Sequence, residues 1–276
     1  MTAIELEAKK RQEMAALRRR QLRNILLGLL GIACFLLLWE CVVIFQWIDP
    51  RLIASPGQVL QTLATKLTDT KPEGSVLLSH IGASLTVALS GYLLALAVGI
   101  PMGLLMGWFK PVDKLIGPIF ELLRPVPPIA WIPIVIIFLG IGLEAKAVIV
   151  FLSAFIPCLI NSYTGIKLTN PVYINVSKTC GASIWTTFLR VGVPSSLPMV
   201  FAGMRISLGN AWSTLVAAEM LAANKGLGYM ILMGRTYGRV DLIISGMIMI
   251  GILGILFNFV FDKVENYVLR WRVKKS

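Results

Sequence analysis

Apolar residues gather along this chain in long runs, not in strict alternation or narrow amphipathic stripes. As helices, these runs are long enough to cross about 30 Å of hydrocarbon. They fall near residues 25–47, 81–108, 126–143, 145–167, 198–222 and 240–262, separated by polar or proline-rich stretches. The pattern predicts an all-α membrane protein with six transmembrane helices, the third and fourth joined only by the Gly142-Leu143-Glu144 turn. The first run follows a basic stretch, as the core of a signal peptide would. It extends from Asn24 to Trp47, however, and leads into Ile48-Asp49-Pro50 instead of a small-residue cleavage site. It therefore reads as a retained helix.

Composition supports the membrane assignment. Of 276 residues, 57% are hydrophobic and 14% charged, with a mean hydropathy of +0.79. A soluble domain is typically about 45–50% apolar, so the surplus needs a lipid environment. The net charge of +12 is segregated to the ends and to particular loops, without interleaved aromatic residues, which argues against a nucleic-acid platform. With the N-terminus placed inside, the segments 1–24, 109–124, 167–190 and 262–276 hold eighteen Lys and Arg. The outer segments hold seven, namely Arg51, Lys66, Lys71, Lys146, Lys225, Arg235 and Arg239. The positive-inside rule then puts both termini and residues 168–195 in the cytoplasm, with 1–24 and 263–276 as basic cytoplasmic tails beside lipid.

The chemistry of catalysis is not visible. His80 is the only histidine, and neither H-E-x-x-H nor an activated-serine arrangement occurs. Cys34, Cys41, Cys158 and Cys180 have no paired spacing, so no disulfide framework or metal site is indicated. No G-x-x-x-x-G-K-[ST] loop is present to cradle phosphates. The chain reads as non-catalytic, with no cofactor of its own.

Two other patterns concern the spans. Gly91, Ala95, Gly99, Gly103 and Gly107 recur every four residues in the second, and Gly203, Ser207 and Ala211 repeat this in the fifth. Such stripes let helices approach closely in lipid, where no hydrophobic force drives association. Pro101 and the run Arg124-Pro125-Val126-Pro127-Pro128 promise breaks in the second span and at the start of the third. The fifth span carries Arg205, Asn210, Trp212, Ser213 and Glu219. Arg205 and Glu219 are about 21 Å apart along a helix, so each needs another partner. Asn210, Trp212, Ser213 and Glu219 are the candidate lining of a substrate path, because polar groups are costly in a membrane and often functional there.

The most informative stretch is cytoplasmic. A short helix over 171–178, a turn at Gly181 and a second helix from Ile184 to Val191 ended by Pro194 would make a rigid elbow. Val191, Val193 and Pro194 follow Gly181 at ten, twelve and thirteen residues. This spacing resembles the EAA loop of ABC importer permeases, and the candidate coupling residues are Asn175, Ser177, Lys178, Gly181, Ala182, Ser183, Val191 and Pro194. The EAA positions themselves are Asn175, Val176 and Ser177, so the family's glutamate is absent and apolar and hydrogen-bonded contacts are expected in its place. The segments His80 to Leu85, Gly99-Ile100-Pro101, Glu121 to Trp131 and Ala217 to Met220 are similar to the taurine, sulfonate, nitrate and bicarbonate branch, and Leu123 to Pro133 and Gly226 to Met230 resemble its taurine and aliphatic sulfonate members.

The resemblance covers residues 75–262, with 171–194 as the coupling loop. It implies a type I importer permease in a bacterial inner membrane. It also implies a second permease copy, two ATPase subunits carrying ATP and Mg, and an extracytoplasmic solute-binding protein. The implied cargo is a small anion, taurine or another sulfonate first, nitrate or bicarbonate as alternatives. The rival class is an ion-coupled secondary transporter, which broken helices would suit, but the chain has no convincing internal repeat and few buried carboxylates.

Overall fold

The structure is a computed structural model that describes residues 3–49 and 52–270, with 3–18, 21 and 222 described by backbone alone. The side chains of Lys9, Lys10, Arg11 and Arg18, together with Arg51 and the basic end at 271–276, thus lie outside the described residues. All regular elements among the described residues are helical. The chain divides into two compact units, Met1–Thr62 and Leu63–Ser276.

The first unit is dominated by α1 (Ala3–Ile44), whose Leu22–Ile44 stretch can span a membrane. Trp39 Nε1 donates to the Ala54 carbonyl at 3.1 Å in the segment that follows. Ser55 then starts α2 (Pro56–Thr65) with a reciprocal capping pair: Gln58 N–H donates to Ser55 Oγ at 3.2 Å, and Ser55 N–H donates to Gln58 Oε1 at 2.9 Å.

In the second unit, α3 (Leu77–Trp108) runs unbroken through Pro101 and packs along α6 (Leu143–Lys167). A methyl group on Gly91 would lie 2.6 Å from the Ala147 carbonyl oxygen and 2.8 Å from Val150 Cβ. One on Gly99 would meet Phe155 and Cys158, and one on Gly103 would strike Leu159 and Ser162. The small-residue stripe is therefore the surface on which two backbones touch. The contact numbers rise together along both helices, so α3 and α6 are parallel.

That parallel pairing requires the chain to return to its starting side between Trp108 and Leu143. The return is made by α4 (Lys110–Leu123), a single 3₁₀ turn (Pro128–Trp131) and α5 (Ile132–Leu139), with an 84° bend between the two halves. Among the described residues five helices are long and apolar enough to cross, and the bent pair, counted as one broken span, makes six. The expected single span at 126–143 is thereby corrected. α5 has 8 residues, about 12 Å of helix, too short to cross alone. The prolines at 125, 127 and 128 deprive the junction of N–H donors and push the preceding residues away from helix.

Two further helices run antiparallel to their neighbours. α9 (Val193–Ala222) lies against α6, where Ser207 Oγ donates to the Ala154 carbonyl at 2.7 Å and Ser153 Oγ shares a 2.8 Å hydrogen bond with Thr214 Oγ1. α11 (Val240–Val268) lies against α9, with Trp212 Nε1 donating to the Ile250 carbonyl at 3.1 Å. α10 (Leu227–Thr236) connects these two, and their buried side chains, Val87, Val150, Leu215, Met230 and Leu242 among them, form one core. At the start of α11, Arg239 pairs with Asp241 at 2.6 Å, and this hydrogen bond raises the guanidinium's pKa. Outward apolar side chains such as Ile137, 79% exposed, and Phe138, 81% exposed, suit lipid contact.

The segment entering α3 is organised by a buried lysine. Lys66 Nζ donates to the carbonyls of Asp69, Lys71 and Ser75, each at 3.1 Å, and lies 2.7 Å from Glu73 Oε1. All three ammonium protons thus go to backbone, and the buried carboxylate balances the charge.

Candidate functional site

The elbow is built from three local devices. Asn170 caps α7 (Pro171–Thr179), its side chain accepting from Val172 N–H at 2.9 Å while Pro171 occupies the first turn. The helix closes at Gly181, φ +76°, where Gly181 N–H donates to the Lys178 carbonyl at 2.9 Å and Ala182 N–H to that of Ser177 at 3.1 Å. This paired closure needs a left-handed residue, which only glycine adopts at little cost. Ser183 then caps α8 (Ile184–Thr187), accepting from Thr186 N–H at 3.2 Å.

The two arms are tied by Ser177 Oγ and Thr187 Oγ1, 3.0 Å apart. Behind them Phe109 packs on Trp185 with ring centroids 4.8 Å apart, and Trp108 on Phe188 at 5.7 Å. A methyl on Gly192 would come within 2.8 Å of the Trp108 ring. The elbow is thus wedged against the junction of α3 and α4. Its outer face remains open: Val172, Tyr173 and Val176 on α7 are each more than half exposed, beside exposed Asn175 and Lys178.

One expectation about the elbow is corrected. Pro194 does not end the second arm. From α8 the chain passes through a π-turn, Phe188–Gly192, directly into α9, giving an apolar helical stretch from Ile184 to Leu221. In the π-turn Val193 N–H reaches back to the Phe188 carbonyl, and this wider spacing opens the backbone that the proline ring would otherwise strike. Val191 sits half-buried in this turn, and Pro194 is exposed in the first turn of α9.

Across the membrane-spanning part of α9 the candidate path residues separate into two groups. Asn210 and Ser213 are exposed on the same side as Gly209, a polar strip left free by α6 and α11. Trp212 faces inward, 9% exposed, with its ring edge-on to Phe257 at 4.9 Å. Glu219 is fully buried. Its oxygens accept from Ser84 Oγ at 2.8 and 2.9 Å and from Gly228 N–H at 2.9 Å. Ser84 Oγ in turn accepts from Leu227 N–H at 2.9 Å, and His80 Nδ1 from Gly226 N–H at 3.1 Å. Three successive backbone donors at the start of α10 are therefore held by side chains from α3 and α9. Arg205, at the other end of α9, pairs with Asp262 and with Glu265 of α11, the latter at 2.6 Å.

The profile of the binding-protein-dependent transport system inner membrane component family matches residues 97–273, which take in the elbow, α9 and α11. The chain belongs to this family. Among its relatives, this transport-system membrane component is 34% identical to the taurine transport system permease protein of Escherichia coli over 90% of each chain. It is 32% identical to the bicarbonate transport system permease protein of Synechocystis, over 87% of each. It is also 34% identical to the nitrate import permease protein of Leptolyngbya laminosa, over 69% of this chain and 68% of that one. In three dimensions it is similar to a chain of the methionine ABC transporter in an inward-facing conformation, with a TM-score of 0.59. That likeness, at 20% identity, covers 70% of this chain and 95% of the other and concerns the fold alone.

Of the residues named from sequence, those of the elbow come together in one structure. The path candidates do not: Asn210 and Ser213 share a free face, whereas Trp212 and Glu219 serve packing and loop anchoring. His80 and Ser84 escaped notice as anchors because their partners lie about 140 residues away and are backbone groups, which no side-chain motif betrays.

Proposed function

We propose that this chain is the membrane-spanning subunit of an ATP-driven importer for a small anion, with taurine or another sulfonate as the leading cargo and nitrate and bicarbonate as alternatives. The observation that carries this reading is the elbow: an exposed face of Val172, Tyr173, Asn175, Val176 and Lys178 on a clamped double turn that continues without a break into α9. A partner that moves this face moves a transmembrane helix.

In this reading two ATPase subunits bind ATP and Mg and dock on the elbow, an external binding protein delivers the solute, and a second copy of the chain completes the path. Asn175 stands where the family resemblance calls for glutamate, so contact with the ATPase is apolar and hydrogen-bonded. Ser177, Gly181, Ala182 and Ser183 keep the elbow stiff, and Val191 and Pro194 join it to α9. The exposed strip of Asn210 and Ser213 lines the path and offers weak hydrogen bonds to a passing anion, while Trp212 and Glu219 position that strip. The chain sits in a bacterial inner membrane among lipid with both termini in the cytoplasm, which leaves the start of α3, the start of α6 and the 223–226 turn outside.

The tagged chain, purified in detergent, is expected to bring an ATPase with it, whose hydrolysis rises with the binding protein and one of taurine, nitrate or bicarbonate. Gly181→Val is expected to leave the chain inserted and hydrolysis running while uptake falls at least tenfold. Absence of any ATPase, or normal uptake by Gly181→Val, would overturn the reading.

A further inference from the structure

Lys146 lies one turn into α6, is 8% exposed, and makes no hydrogen bond or ion pair with any described residue. Its charge acts on Glu219, but that carboxylate is already occupied by Ser84 and Gly228 N–H. The stem of the side chain is packed away, but its Nζ is not sealed in: the ammonium opens into adjoining space with its donors unspent, and within a membrane protein such a charge points to a counter-charge that arrives from elsewhere.

The lysine lines a cavity of about 320 Å³ whose other walls include Thr86, Gly142, Asn224 and Lys225. Gly142 is the N-cap of α6 and supplies no side-chain cap, so the first N–H groups and positive dipole end of a 25-residue helix lie at the same wall. Glu144, exposed in that first turn, is the one acidic side chain of the α6 N-terminus. Glu219 feels the Lys146 charge but lies outside the lining, which carries Lys146 and Lys225 and no carboxylate, so the recess itself presents positive charge and is large enough for a solute of a few heavy atoms.

We propose that this recess is a subsite for a small oxyanion, such as a sulfonate, nitrate or bicarbonate, with Lys146 as the charge that receives it and Lys225 as an outer guide. The inference deepens the importer reading, on whose orientation it depends for placing the recess at the outer mouth. It assigns the electrostatic attraction for the anion to α6 and the 223–226 turn, whereas α3 and the strip on α9 contribute only uncharged contacts.

The test uses the purified full chain in uncharged detergent with gluconate replacing chloride. The probes are methanesulfonate, taurine, nitrate and bicarbonate, and the readout is the thermal unfolding midpoint, which a ligand binding the native state raises. At least one probe is expected to raise it. Lys146→Met is expected to lose that rise, Lys146→Arg to keep it, and Lys225→Met to weaken the probe's apparent affinity severalfold. No rise with any probe, or the same rise in Lys146→Met, would overturn the proposal. If Lys146→Met fails to fold, an affinity unchanged in Lys225→Met would overturn it. A midpoint raised by phosphatidylglycerol but by none of the small anions would assign the recess to a lipid headgroup and overturn it too. The assay needs no ATPase, so its failure leaves the importer reading standing, and a failed ATPase co-purification leaves anion binding untouched.

Discussion

The two ends of the α9 helix solve opposite problems with similar side chains. At the Glu219 end, buried carboxylate, hydroxyl and imidazole groups hold the backbone N–H groups of residues 226–228, and nothing of Glu219 faces solvent. At the elbow end, hydroxyls and an amide satisfy the chain's own helix termini, and large apolar side chains are left outside. Buried polar groups fix a loop in place because losing one partner strands the other in low dielectric. Local caps stiffen a surface element and leave its outer face available. The first arrangement seals a contact within the chain; the second leaves a stiffened face open.

The contrast can be broken most forcefully at Glu219. Glu219→Ala strands Ser84 Oγ and Gly228 N–H in the interior and is expected to cost about 3 kcal/mol of stability, with Glu219→Gln recovering a large part, measured by thermal unfolding in detergent. Gly181→Val comes next: nothing lies within 4 Å of the position, so the cost is confined to the left-handed backbone, about 2 kcal/mol. Gly181→Asn should cost less, since asparagine tolerates that conformation. Ser177→Ala removes the tie to Thr187 and is expected to cost about 1 kcal/mol while loosening the elbow, seen as faster hydrogen exchange over residues 171–192. If Ser177→Ala proved as damaging as Glu219→Ala, the two ends would not differ in the manner described.

How far the sequence revealed this depended on the range of the interactions. The two arms and the turn of the elbow were legible because their signals are local, Pro171 at the start of one helix and Gly181 after it, whereas the side-chain caps from Asn170 and Ser183 came only with the structure. The glycine stripe on α3 was legible because a single helix carries the whole signal. The 84° bend was half legible, since the prolines at 125–128 announced a break but not that α4 would form the other half of a crossing. The extension of α8 into α9 was hidden because a proline usually stops a helix, and the relief by a π-turn is set by packing of Phe188 and Gly192 against Trp108. Lys66, Lys146 and His80 read only as loop charges or as a lone histidine, because their roles depend on groups brought to them by the fold.

The account turns on the elbow face being a docking surface, and Val176, 58% exposed on α7, is the place to test it. In a background with the four native cysteines replaced, Val176→Cys should form a cross-link to the ATPase in the assembled transporter and resist modification by a membrane-impermeant thiol reagent added from outside. Rapid labelling from outside, with no cross-link to any other subunit, would contradict it.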